Sequence, residues 1–267
     1  MKFTYLDLVD KTILFDPVIA RNWFFAHENS YEEGYSLFTI DETKPYLVPG
    51  YHAKRCIIEV EMALALSCIQ KEILPQGLCL KVYDAYRPQK AVSFFTQWTT
   101  LPDTEKAKRL HYPHVSKKNL HELSYLSRTS SHSKGTAVDV TLVSLHTHRA
   151  SQRPAGFLGY FDVQSLDMGI GYLGFDEKAW HEYQTITDEQ KRHKEKLLTL
   201  MMRHNFEPLS TEFWHYYYKP SRNLETYFDF DIREDYLENT LLGDEREFCS
   251  NPQIPKIPKF ISSFSNS

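Results

Sequence analysis

The period of apolar positions changes several times along the chain, and each change marks an element. Across 51–74 (YHAKRCIIEVEMALALSCIQKEIL), Ile57, Val60, Ala63/Leu64 and Ser67/Cys68 recur at helical spacing. This predicts a long helix packed on a core and ended near Pro75 and Gly77. Leu78, Leu80 and Val82 then alternate with Cys79, Lys81 and Tyr83, a strand pattern. Arg87-Pro88 follows, and a proline is tolerated in a first helical turn, so 88–98 reads as a helix. Residues 99–130 are polar and His-rich, with a short helix expected at 103–110. The stretch 136–142 (TAVDVTL) alternates strictly, with Val138, Val140 and Leu142 on one face and Ala137, Asp139 and Thr141 on the other. Residues 144–166 read as a long loop, which in a compact domain is usually functional or an insertion. Thr187-Asp-Glu-Gln190 fits a capping box opening a helix over about 188–204. FWHYYY at 213–218 is too aromatic for anything but a strand. No internal repeat is visible. Strands and helices do not alternate regularly, so the pattern predicts an α+β fold.

Composition narrows the class. At 267 residues with 42% hydrophobic and 25% charged, the chain can bury a core without disulfides or a structural metal. Lys+Arg is 31 and Asp+Glu is 35, giving a net charge of −4. That balance argues against a nucleic-acid binder working through a basic surface. No run of ~18 apolar residues exists, so no membrane span is expected. Asp7 and Asp10 interrupt the apolar stretch at the N-terminus, so no signal peptide is expected and a cytoplasmic location is the default. Cys56, Cys68, Cys79 and Cys249 show no CxxC pairing and have mostly apolar neighbours, so reduced thiols are expected. The final SNPQIPKIPKFISSFSNS is Pro/Ser-rich and reads as a mobile tail. Six of the ten glycines lie between 135 and 174, so the unusual turns are expected there.

Three segments could carry chemistry. SSHSKGTAVD (130–139) puts His132 before a glycine turn and Asp139 in mid-strand among apolar residues. A buried carboxylate needs a partner, and a metal is one. His132 reaches the same point if the Gly135 turn folds the chain back. TEFWHYYY (211–218) holds Glu212 and His215. In a strand these two point to opposite faces, so Glu212 must lie just before the strand or at a bulge to share a site with His215. Two His and one Asp make a sound zinc set with a fourth position open, leaving Glu212 as general base and acid. DAYRP (84–88) ends a strand, and Arg87 could place a guanidinium over a developing oxyanion. His111, His114, His121, His146 and His148 lie in polar loops and are expected to be solvated; His181 is a weaker candidate for the site wall. Trp180, Trp214 and Tyr216 read as core or pocket wall.

Taken in order, DAYRP, SxHxxGxAxD and the ExWH-like segment resemble the VanX-type D-alanyl-D-alanine dipeptidases, which share a fold with DD-carboxypeptidases and the hedgehog signalling domain. The resemblance runs from about residue 20 to 230 and includes KVYDAYRPQKAV, HYPHVSK, RTSSHSKGTAVDVTL, the Met168-Gly169…Asp176-Glu177 segment and NFEPLSTEFWHYYY. It implies a central, mainly antiparallel sheet with flanking helices. It implies one zinc per chain held by His132, Asp139 and His215, with Glu212 as base and Arg87 as transition-state arginine. Ser130 matches a serine that helps hold the substrate's amino end. A small D-Ala-D-Ala-like peptide is the implied partner. Residues 1–235 would form the catalytic domain and 236–267 an extension. One departure stands out: Leu173 occupies the place of an aspartate that pairs with the substrate's ammonium, which leaves Asp167 and Asp176 as the candidates to substitute for it. A zinc peptidase acting on longer peptidoglycan stem peptides, or on another dipeptide, is therefore a second reading. A zinc-stabilised binding domain without catalysis is a third, disfavoured by the presence of both Glu212 and Arg87.

Overall fold

The structure, a computed structural model, describes residues 1–20, 48–146, 154–223 and 225–234. Its strands are β1 Phe3–Tyr5, β2 Leu14–Phe15, β3 Ile57–Glu59, β4 Leu78–Asp84, β5 Ala137–Ser144, β6 Phe206–Pro208 and β7 His215–Tyr218. Its helices are α1 Leu6–Val9, α2 Val60–Ile73, α3 Gln89–Trp98, α4 Glu105–His111 and α5 Asp188–Arg203. Five strands form one sheet in the order β2-β4-β5-β7-β6. Only the β2–β4 pair is parallel; the other three are antiparallel. The α+β, mainly antiparallel architecture is the one expected.

Strands β4 and β5 are buried on both faces, which is why their polar residues need partners inside the protein. Helix α2 packs on β4 and buries Met62, Ala63, Leu66, Ile69 and Ile73. Helix α5 packs on β6 through Leu197, Leu200 and Met201. Its start matches the expected capping box: the Thr187 hydroxyl accepts from the Gln190 N–H at 3.2 Å and the Gln190 side chain accepts from the Thr187 N–H at 3.0 Å.

The structure corrects several expectations. The helix predicted from residue 51 begins only at Val60. Ile57–Glu59 pairs antiparallel with Phe3–Tyr5 instead, and all three residues are buried. A short run of buried apolar residues satisfies either period, so spacing alone could not separate strand from helix there. Strands β1, β2, β3 and β6 have only two or three residues, too few to show alternation. In the predicted 144–166 loop, residues 147–153 lie outside the described residues, as does the predicted tail at 236–267. Cys56 and Cys79 are buried and Cys68 half-buried, all unbridged; Cys249 lies outside the described residues.

The two ends of the described chain meet beneath the DAYRP turn. Phe3 packs on Phe228 and Phe230, and Phe230 stacks on Tyr86 at 4.1 Å between ring centres. The Tyr86 hydroxyl donates to the Phe230 carbonyl at 2.8 Å. The turn carrying Arg87 is thus held by residues far away in sequence.

Candidate active site

Sheet register brings the first three polar groups together. Asp84 of β4 lies opposite Asp139 of β5, and Asp139 lies opposite His215 of β7. Residues opposite one another across a sheet share a face, so these side chains form a row. His132 is added by the SSHSKG turn, closed by bonds from the Gly135 N–H to the His132 carbonyl at 3.0 Å and from the Thr136 N–H to the Ser131 carbonyl at 3.1 Å. Gly135 takes φ +72°, a left-handed conformation that suits glycine. Glu212 sits in the turn before β7: its N–H donates to the Leu209 carbonyl, and its carbonyl accepts from the His215 N–H. The backbone there is not yet a strand, so Glu212 and His215 can face the same space, as their spacing required.

The resulting cluster is tight and buried. His132 Nε2 lies 3.2 Å and His215 Nδ1 3.0 Å from Asp139 Oδ1, and the two ring nitrogens are 3.2 Å apart. All three residues are buried. His132 Nδ1 donates to the Ala85 carbonyl at 2.6 Å; a carbonyl can only accept, so this bond leaves the Nε2 lone pair free when the ring is neutral. His215 Nε2 is 3.3 Å from the Ser131 hydroxyl, leaving Nδ1 for the cluster. Burial holds the His215 pKa below its usual value, against the pull of Asp139. Burial also disfavours an ionised Asp139, but His132 and His215 more than offset it and hold the carboxyl well below the usual range. Oriented lone pairs and a carboxylate oxygen therefore converge on one point, the donor set of a small cation with outer partners on both imidazoles.

Glu212 lies beside this point, with Oε2 4.0 Å from His215 Nδ1. Burial, and then the negative charge of Asp139, push its carboxyl well above the usual value, while Arg87 and a hydrogen bond from Trp214 oppose the shift. Arg87 Nε donates to Asp84 Oδ2 at 2.8 Å and Nη2 approaches Asp139 Oδ2 at 3.4 Å. Tyr51 holds the other oxygen of Asp84 at 2.9 Å. Arg87, His132, Asp139, Glu212 and His215 line a cavity of about 170 Å3, walled also by Phe95, Leu126, Ser130, Leu173 and Tyr217. That is small beside the roughly 300–1,000 Å3 of sites for drug-sized ligands.

Of the remaining candidates, some line this space and others lie away from it. Ser130 is in the wall, but its hydroxyl already accepts from the His132 N–H at 3.2 Å. Asp167 is not brought to the cavity: it accepts from the Gly169 N–H and the Gln190 side chain. Asp176 caps a short turn through the Lys178 N–H and meets His114 at 2.8 Å. Leu173 lines the wall at φ +60°, a conformation disfavoured by about 1–2 kcal/mol for a residue with a Cβ, and its carbonyl meets His111 Nδ1 at 3.0 Å. His111 is therefore buried, not solvated as expected; His148 lies outside the described residues. His181 packs on Tyr216 and does not line the cavity; burial and Lys194 hold its pKa down at about 4. Trp214 lines the cavity and Tyr216 is core, whereas Trp180 is exposed. Sequence reasoning missed Asp84, although the argument that singled out Asp139, a carboxylate inside an apolar strand, applied equally to it. It also missed Tyr172, whose hydroxyl donates to Asp139 Oδ2 at 2.8 Å; a tyrosine in a glycine-rich run carried no signal.

No helix among the described residues is long and apolar enough to cross a membrane. The family model for Peptidase M15, described as D-ala-D-ala dipeptidase, matches residues 39–233. The D-alanyl-D-alanine dipeptidase of Enterococcus faecium is 29% identical over 186 residues, covering 70% of this chain and 85% of that protein. That of Streptomyces coelicolor is 29% identical over 185 residues, covering 69% and 84%. That of Escherichia coli K12 is 26% identical over 166 residues, covering 62% and 68%. With a cation-ready His-Asp-His cluster at the heart of the matched region, this chain belongs to the M15 D-ala-D-ala dipeptidase family of metallopeptidases.

Proposed function

We propose that this chain hydrolyses D-alanyl-D-alanine to two D-alanines with one zinc ion held by His132, Asp139 and His215. The observation that carries the reading is the convergence of these three ligand atoms at 3.0–3.2 Å beside Glu212. Tetrahedral ligands about 2.0–2.1 Å from zinc stand roughly 3.3 Å apart, so the spacing fits. Zinc held there would supply Lewis acidity to a carbonyl and lower the pKa of water to about 7. Glu212 accepts the proton of the attacking water and returns it to the leaving amine, a role that suits a carboxylate whose pKa is raised by burial. Arg87, anchored through Nε to Asp84, turns its Nη groups toward the carbonyl oxygen and stabilises the charge that develops there. The small cavity favours a dipeptide-sized occupant. Residues 1–235 form the catalytic unit in this reading, supported by the bonds that tie Ile232 to His52 and Gly50.

A direct test compares D-Ala-D-Ala hydrolysis by the zinc-loaded wild type and Glu212→Ala. The variant is expected to keep its zinc and lose nearly all turnover; undiminished turnover would sink the mechanism. A second reading, cleavage of longer stem peptides, is favoured by Leu173 in the wall. Among the described residues the acidic side chains lining the cavity are Asp139 and Glu212, which leaves a substrate ammonium no carboxylate of its own. Assaying D-Ala-D-Ala beside its N-acylated form separates the two. Rapid cleavage of only the acylated form would replace the dipeptidase reading.

A further inference from the structure

Asp139 Oδ1 faces the two imidazoles, while Oδ2 is turned away and takes two donors. The closer donor is the Tyr172 hydroxyl at 2.8 Å; Arg87 Nη2 stands back at 3.4 Å. Tyr172 is fully buried, and its ring lies flat on Tyr83, 4.5 Å between centres and 9° between planes. Its place is built by the glycine-rich segment. The Tyr160 N–H donates to the Tyr172 carbonyl at 2.6 Å and the Gly171 N–H to the Leu158 carbonyl at 2.8 Å. A Cβ on Gly171 would collide with the Tyr160 carbonyl, and one on Gly159 with the Gly171 carbonyl, so only glycine allows the two segments this close. The left-handed backbone of Leu173 then turns the chain so that Tyr172 bonds Asp139 while Leu173 lines the cavity.

We propose that Tyr172 is a positioning residue that holds Asp139 to one-oxygen coordination of the metal and keeps Arg87 available to substrate. The inference rests on the metal-site reading above. A carboxylate without a firm partner on its second oxygen can rotate to offer both oxygens to a cation. It would then fill the fourth position that a hydrolytic site keeps open. It could also draw in the Arg87 fork, which can bind carboxylates with two parallel bonds. Tyr172 supplies the firm partner and removes both alternatives.

The test is zinc affinity, measured by competition with a chromophoric chelator, in wild type, Tyr172→Phe and Tyr83→Phe. Phenylalanine keeps the stacked ring in either variant. Tyr83 points its hydroxyl at Ser165, 3.3 Å away, so Tyr83→Phe controls for loss of a buried hydroxyl from the same stack. Thermal unfolding of the metal-free proteins shows that each variant is folded. Tyr172→Phe is expected to shift zinc affinity by about 10–100-fold, the scale on which outer-shell partners act, with Tyr83→Phe unchanged. Unchanged affinity in Tyr172→Phe, or an equal loss in Tyr83→Phe, would overturn the proposal while leaving the zinc reading intact. A folded wild type that takes up no zinc would overturn both.

Discussion

Two buried charge clusters sit on strands β4 and β5, one at mid-strand around Lys81 and one at the end carrying Asp84 and Asp139, and their difference separates a structural ion pair from a candidate site. At one, Lys81 Nζ meets Asp162 Oδ2, which also accepts from Ser165 at 2.8 Å, while Oδ1 takes the Gln164 N–H at 2.9 Å. Donors and acceptors match, and the pair is closed. Burial disfavours an ionised Asp162, but Lys81 outweighs it and keeps the carboxyl below its usual value. At the Asp139 end, lone pairs of His132 and His215 and an oxygen of Asp139 face one another, with Glu212 beside them. In the proposed reading a cation completes that cluster. Buried charge by itself is thus no guide to function. What matters is whether lone pairs are left facing one another, as they are between His132, His215 and Asp139 Oδ1.

The sharpest way to break the comparison is to disrupt the open cluster. His215→Ala is expected to abolish zinc uptake and reduce D-Ala-D-Ala turnover to background, with secondary structure by circular dichroism retained. Stoichiometric zinc in that variant would remove His215 from the ligand set. Next in size, Arg87→Ala should lower kcat by about 10²–10³-fold while zinc content stays the same, the cost of losing one oxyanion donor. A change confined to KM would assign Arg87 to ground-state binding instead.

The closed cluster should behave the opposite way. Asp162→Asn strands the Lys81 ammonium in the interior and is expected to cost about 3–5 kcal/mol in denaturant unfolding at neutral pH, with turnover per folded molecule unchanged. The folded-state pKa of Asp162 is depressed, so its contribution is present above the unfolded value of about 3.9 and fades as pH falls through the folded one. The smallest effect belongs to Glu59, a buried carboxylate with neither a lysine nor a ligand set. One of its oxygens has no hydrogen-bond partner, and burial raises its pKa to about 7. The folded state holds this proton between roughly pH 4.5 and 7 and the unfolded state does not, so stability falls as pH rises through that window. Glu59→Gln should stabilise the protein by about 1–3 kcal/mol above pH 7 and by little below pH 4.5. Equal effects at both pH values would show that Glu59 is not protonated on folding.

The long elements were legible because their periods persist: α3, α5, β4 and β5 fall within two residues of where alternation and capping placed them. The strands of two or three residues were not, because so short a run carries no period. Among the candidate site residues, the fold brings together those in motifs of fixed spacing: His132, Asp139, Glu212, His215 and Arg87 lie within hydrogen-bond or ion-pair reach of one another through shared partners. Asp167 and Asp176 were offered for their charge alone, and each has its own backbone and side-chain partners. Asp84, Ser131 and Tyr172 escaped notice because a partner to a ligand needs only one correctly placed polar atom, which many sequences can supply.

The sequence by itself determined the cast: an Asp in an apolar strand, a His before a glycine turn, a His in an aromatic strand and a Glu three residues ahead of it. Local chemistry fixes those choices, since turns, caps and strand patterns are written in neighbouring residues. Only the tertiary structure decided how the cast is arranged. Register placed Asp84, Asp139 and His215 in one row across three strands, and the close approach of Gly159 and Gly171 delivered Tyr172 to Asp139. The bonds that Asp139 makes to Tyr172 and His215 join residues 33 and 76 positions apart, where no local pattern reaches and only packing chooses the partner.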